Sequence, residues 1–184
     1  MVVRALVLIA VLAVPGIGAA QARLIDLRHP SATVSGEPAR GSERALALFG
    51  AGVAARSDRL PPAEARSLVA LLEGAYDRME RELPTIPSPR SGRHALRVEA
   101  EGGARDRALV FLHGYGGPFA LQCWAVARAA RAAGWTTLCP SIGDEGDWWS
   151  ARGEAEVRAA LAHLRSEGAT RVALAGLSNG ARPA

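Results

Sequence analysis

The stretch Arg171-Val172-Ala173-Leu174-Ala175-Gly176-Leu177-Ser178-Asn179-Gly180 decides how this chain is read. Val172 to Ala175 is a short apolar run of strand length, and the next five residues set a serine between two glycines in the spacing Gly-x-Ser-x-Gly. A serine on a sharp strand-to-helix turn presses the residues two positions either side of it against other backbone. Glycine fits there because it has no Cβ. Such a turn lifts the hydroxyl clear of the sheet and aims the following N–H, that of Asn179, and the helix start at a reacting oxygen. The spacing makes Ser178 a candidate nucleophile, with Gly176 and Gly180 as the elbow glycines, and it gains weight from its place at a strand-to-helix junction.

Working back toward the N-terminus, strands and helices alternate. The helix before the elbow strand is expected from about Glu154, with Val157, Ala160, Leu161 and Leu164 on one face, Glu154 paired with Arg158, and Gly168 as its stop. Thr136 to Cys139 reads as a strand. Phe119 to Ala133 reads as a helix that Pro118 opens and Gly134 closes. Ala108 to His113 is a continuous apolar run, as suits a strand covered on both faces, and it leads into Gly114-Tyr115-Gly116-Gly117. His94 to Glu101 reads as one more strand, with Gly102-Gly103 as a turn. Single helices between strands predict an α/β fold whose parallel sheet is wound by right-handed crossovers.

The loop His113-Gly114-Tyr115-Gly116-Gly117 after one strand and the Gly-x-Ser-x-Gly elbow after another together resemble the α/β-hydrolase family of serine hydrolases. The resemblance covers residues 94 to 182. The family carries an H-G-x-G-G-like loop after its third strand, where it supplies one oxyanion-hole amide. Carried over by position, the resemblance implies the amide of Tyr115 as that donor, with Gly116 as the alternative, and the amide of Asn179 as the other. Gly114 and Gly117 would let the backbone approach the substrate oxygen, and His113 would shape the loop without acting as base. The implied activity is that of an exported esterase or lipase-like enzyme, or a peptidase. It would act on a small-molecule ester or amide through an acyl-enzyme on Ser178, with no cofactor and no metal.

The family's triad runs in the order Ser, then Asp or Glu, then His, whereas only Ala181-Arg182-Pro183-Ala184 follow the elbow here. The expectation is a partial α/β-hydrolase fold, cut off after the elbow and inactive alone, because a serine without its base loses on the order of 10⁶ in rate. Its elbow strand would be left with an exposed apolar edge, Val172 to Ala175. The alternative is a non-catalytic exported α/β domain or an inactive fragment. A dinucleotide-binding domain is disfavoured, since Phe119 stands where the last glycine of G-x-G-x-x-G would be.

Asp144 and Asp147 belong to the loop before the last helix, on the ligand-binding end of an open α/β sheet. The family's acid follows a later strand, so neither is assigned that role. Trp148 and Trp149 admit two readings, as the lining of an acyl or aromatic pocket or as packing of that loop onto the core. His163 is expected on the surface of its helix, and His29 and His94 have no argued role.

Residues 1–22 have the parts of a secretory signal: Arg4, the apolar run Ala5 to Val14, the breaker Pro15-Gly16, and a small-residue stretch that fits cleavage after Ala22. The apolar run is too short to span a bilayer, so no stable membrane span is expected, and the mature protein is placed outside the cell or in the periplasm. Residues 23–41 read as an extended linker, and residues 42–92 as a helical segment ending in a Pro-rich loop. Its first helix runs from Ser42 to about Arg56 with Leu46, Phe49 and Val53 on one face. Its second is opened by Pro61-Pro62, carries Leu68, Leu72, Tyr76, Met79 and Leu83, and pairs Asp77 with Arg81. The α/β portion is residues 93–184.

With 49% hydrophobic and 22% charged residues, the chain can build a core rather than remain a solvated polymer. Its net charge of +4 comes from arginine alone, since no lysine occurs, so the chain holds no P-loop. The arginines are dispersed among acids rather than striped, which argues against a nucleic-acid partner. Cys123, in the first turns of a helix, and Cys139, at the end of the next strand, fall at the same end of a strand-helix-strand unit. They are thus placed either to form a disulfide or to lie as two small buried thiols.

Overall fold

The computed structural model describes residues 22–27, 42–56, 61–83, 94–115, 119–143 and 145–182. Most of the signal segment, the linker beyond Leu27, His29, the Pro-rich loop, Gly116, Gly117 and Asp144 lie outside the described residues.

Among the described residues the strands and α-helices follow in the order β1 (Ala22–Asp26), α1 (Ser42–Arg56), α2 (Pro62–Glu82), β2 (His94–Val98), β3 (Arg107–Leu112), α3 (Phe119–Ala132), β4 (Thr136–Pro140), α4 (Ala151–Ser166) and β5 (Arg171–Gly176). The described strands form one sheet in the order β1-β2-β4-β3-β5. β3 is parallel to β4 and to β5, whereas β2 is antiparallel to both β1 and β4. The sheet is therefore mixed, not parallel throughout, and β2 alone runs against the rest. The reason is the connection from Val98 to Arg107. It holds only a 3-10 turn at Glu101–Gly103, too short for a helical crossover, so the chain must come back in the opposite direction.

β1 is a further departure. The first residues of the segment read as a linker pair in register with β2, Leu24 against Leu96 and Ile25 against Ala95. Ile25 and Leu27 are buried, and this pattern is too brief to stand out beside the Pro- and Gly-containing stretch that follows.

Side chains leave the strands alternately to two faces. On one face Leu96, Val98, Phe111 and Cys139 pack against Tyr76, Met79 and Leu83 of α2 and its C-terminal end, and against Phe119, Cys123, Trp124 and Ala127 of α3. On the other face Ala95, Ala108, Val110, Leu112 and Leu138 pack against Ala160 and Leu164 of α4, with Trp148. Cys123 and Cys139 are joined by a disulfide with their Cα atoms 6.1 Å apart, inside the first of these layers.

Helix α4 begins at Ala151 rather than near Glu154 because Ser150 caps it, accepting from the Gly153 N–H at 3.1 Å. Arg158 donates to Glu154 at 3.0 Å, as the i, i+4 spacing predicts. The expected apolar face of α1 is not its buried one. Phe49 is 67% exposed, while the small Ala51 is buried and Ala47 packs against the core. Arg44 anchors α1 to α2 through Asp77 at 2.8 Å and Glu80 at 3.0 Å, so Asp77 looks across the helix pair and not along its own helix to Arg81.

His163, expected at the surface, is only 8% exposed. It sits under the sheet with Glu167, and Glu167 also takes hydrogen bonds from the buried Arg97 of β2 and from Arg23 of β1. This group of charges ties β1 and β2 to the C-terminal end of α4. Among the described residues no helix is long and apolar enough to cross a membrane.

Candidate active site

β5 is bonded to β3 alone among the described strands, and the Leu177 N–H extends that ladder by donating to Leu112 O at 3.1 Å. One residue later the chain turns sharply. Ser178 has φ 53°, and it is the one non-glycine residue with positive φ among the described residues. For an L-residue this conformation is strained, and it persists only where the surroundings hold it.

The glycines on either side supply that hold. A Cβ on Gly176 would fall onto the carbonyl of Gly180 and 2.8 Å from the Ala181 nitrogen, and a Cβ on Gly180 would fall onto the Leu112 carbonyl. The turn can close against β3 only if both positions lack side chains. It then runs into a 3-10 turn, Ser178–Ala181, closed by the Gly180 N–H to Leu177 O at 2.9 Å, so no α-helix follows the serine among the described residues.

The loop after β3 meets this turn directly. A Cβ placed on Gly114 would stand 3.1 Å from Ser178 Cβ and 3.0 Å from Leu177 O. The Gly114 N–H is committed elsewhere, donating to Gln122 Oε1 of α3 at 2.9 Å. That leaves the amide of the next residue, Tyr115, as the first amide of the loop whose direction the Gln122 contact does not set. The Tyr115 side chain is 69% exposed.

His113 is buried under the loop. Its Nδ1 donates to Gly114 O at 2.9 Å, and its ring stands edge-on to Phe119 and Trp148. This is the environment of a side chain that shapes a turn. His94 opens β2 opposite Asp26 of β1, and its carbonyl accepts from Ser141 N at 3.0 Å. With two strands between β2 and β5, His94 is about 14 Å from the elbow strand. His163, near the C-terminus of α4, is at the opposite end of the sheet from Ser178. Among the described residues, then, no histidine or carboxylate is hydrogen-bonded to Ser178.

The loop from Ser141 to Ser150 forms the third wall. Trp148 is buried and donates from Nε1 to His113 O at 2.8 Å, which settles it as a packing residue. Gly146, with φ 63°, lies so close that a Cβ there would come within 3.2 Å of the His113 and Gly114 carbonyls. Asn179 Nδ2 donates to Glu145 O at 2.9 Å, pinning this loop to the elbow. Trp149 faces outward, 43% exposed, with the Arg182 guanidinium 4.5 Å above its ring. Asp147 uses its carbonyl to receive Ser150 N and Oγ, a structural role at the start of α4.

Ser178, Gly176, Gly180, Gly114, Tyr115 and Asn179 are thus assembled at one end of β3 and β5. Gln122 and Arg182 are additions that sequence reasoning missed. Gln122 was signalled only as the one uncharged polar residue between Phe119 and Val126, and Arg182 by nothing. No family model, curated protein or solved structure matches the chain.

Proposed function

We propose that Ser178 is the nucleophile of an exported serine hydrolase of the α/β-hydrolase type, acting on an ester or, as a second substrate class, an amide. The observation that carries this reading is the left-handed backbone of Ser178, kept in place by two glycines that tolerate no Cβ and set against Gly114 of the loop after the third strand. Backbone strain of this kind at a hydroxyl residue has a use where the hydroxyl must stand clear of the sheet to attack.

In the proposed reaction Ser178 Oγ gives its proton to a general base and attacks the substrate carbonyl carbon. The negative charge on the carbonyl oxygen is met by the N–H groups of Tyr115 and Asn179. Collapse expels the alcohol or amine, which takes up a proton from the base, and leaves an acyl group on Ser178. Water then reverses the sequence and releases the acid. No described residue is assigned as the base or its acid partner, which in the family's chain order follow the elbow. The buried disulfide between Cys123 and Cys139 suits an oxidising compartment and agrees with the signal-like N-terminus.

The test is labelling by a fluorophosphonate in a protein expressed from a reading frame continued past Ala184. The adduct is expected on the peptide containing Ser178 and is lost in Ser178→Ala. An unlabelled Ser178 in a folded product would overturn the proposal. The alternative, a non-catalytic α/β domain, draws on the absence of a hydrogen-bonded base at Ser178 among the described residues, and that same outcome would favour it.

A further inference from the structure

We infer that the rim around Ser178 binds a planar aromatic group of the substrate, with Trp149 as the surface on which that group stacks. This inference rests on the hydrolase reading of Ser178 and adds a substrate class to it. The rim is built from side chains that a fold would ordinarily bury. Tyr115 (69% exposed), Leu177 (51%) and Trp149 (43%) come from three separate loops at the same end of the sheet. Tyr115 follows the glycine that abuts Ser178 and Leu177 precedes the serine. The loop that carries Trp149 is tied to the elbow segment by two contacts, Asn179 Nδ2 to Glu145 O at 2.9 Å and Arg182 over the Trp149 indole at 4.5 Å.

The neighbouring tryptophans are used differently. Trp148 is buried and its N–H is spent on His113 O, so packing of the loop is already provided for without Trp149. An indole left half-exposed on the loop pinned to the elbow, with a cation over its ring, favours flat ring systems over aliphatic chains of the same size, because ring quadrupoles add to the area term. The Arg182 guanidinium makes no ion pair with a carboxylate among the described residues, so its N–H fork remains able to meet an acceptor oxygen on such a ring.

The experiment compares methyl benzoate with methyl cyclohexanecarboxylate, matched in size and differing in planarity, for binding to the 184-residue chain by ligand-observed NMR. A preference for the aromatic ester of about threefold to tenfold is expected, from the stacking gain of an aromatic pair. Trp149→Leu should erase that preference while leaving the thermal midpoint nearly unchanged, because the side chain is half in solvent. Tyr115→Leu, which keeps the backbone amide, should reduce it. Equal affinity for the two esters, no saturable binding of either, or a preference that survives Trp149→Leu would each overturn the inference. These readouts do not depend on chemistry at Ser178, so an aromatic preference without fluorophosphonate labelling would retain the site and discard the hydrolase reading.

Discussion

Gln122 Oε1 accepts the N–H of Gly114 at 2.9 Å, so a side chain in the first turns of α3 sets the course of the loop lying against Ser178. Removing that acceptor leaves a part-buried amide without its partner. Gln122→Ala should therefore cost about 1–3 kcal/mol of unfolding free energy, measured by urea titration. Gln122→Glu keeps an acceptor oxygen and should recover most of the loss.

The two kinds of glycine in this chain separate crowding from backbone strain. Gly180→Ala drives a methyl into the Leu112 carbonyl and is expected to cost about 3 kcal/mol or to prevent the turn from closing. Gly102→Ala has open space around it and bears only the penalty of φ +75°, about 1 kcal/mol. Equal losses in the two variants would show that the elbow is not packed against β3 as described.

His163 predicts a pH dependence of stability. Burial lowers its pKa below the ordinary 6.5; Glu167 at 3.4 Å pulls the other way, and the charges of Arg97 and Arg23 add to the lowering. The unfolded chain therefore takes up this proton more readily than the folded one. The contribution is fully present above about pH 6.5 and is lost as the pH falls through the lower folded value. Unfolding free energies measured between pH 8 and pH 5 should decline, and His163→Gln should flatten the decline.

A second decline belongs to Glu99. Burial would raise its pKa, but the hydrogen bonds and charge of Arg97, at 2.7 Å and 3.0 Å, with Arg23 and Arg105, outweigh it and hold the carboxyl below 4.5. Its contribution is present above about pH 4.5 and disappears as the pH falls further, so it should persist in His163→Gln and vanish in Glu99→Gln.

The Cys123–Cys139 bond closes a loop of sequence separation 16 and should contribute about 3 kcal/mol. Intact mass after alkylation of the denatured, unreduced chain should show neither thiol labelled. Reduction should lower the urea midpoint by a matching amount.

How much of this was legible in the sequence depended on whether the deciding contacts were local. β3, β4 and β5 were readable because each is a short apolar run bounded by glycine, proline or a polar turn. The elbow was readable because its crowding is encoded within five residues. The direction of β2 was not, since it depends on the length of a connection and on which strand β2 then pairs with. β1 finds its partner about seventy residues away, and nothing in Ala22 to Asp26 announces it. Trp148 and Trp149 are adjacent and chemically identical, yet one is buried and the other is not, because the turn before α4 sends consecutive side chains to opposite sides. His163 was misplaced for the same reason: the polar partner that lets it be buried, Glu167, is itself held by an arginine on a distant strand.

Among the described strands β5 is paired along one flank, and its Leu174 is 58% exposed. The elbow's glycines leave no slack between Ser178 and its immediate surroundings, so any movement of the turn must come with movement of the strand that carries it. A body lying along the outer flank of β5 would steady that turn without touching Ser178. The sharpness of the Ser178 turn is thus set locally, by two glycines packed on backbone, whereas among the described residues no strand braces the outer flank of β5.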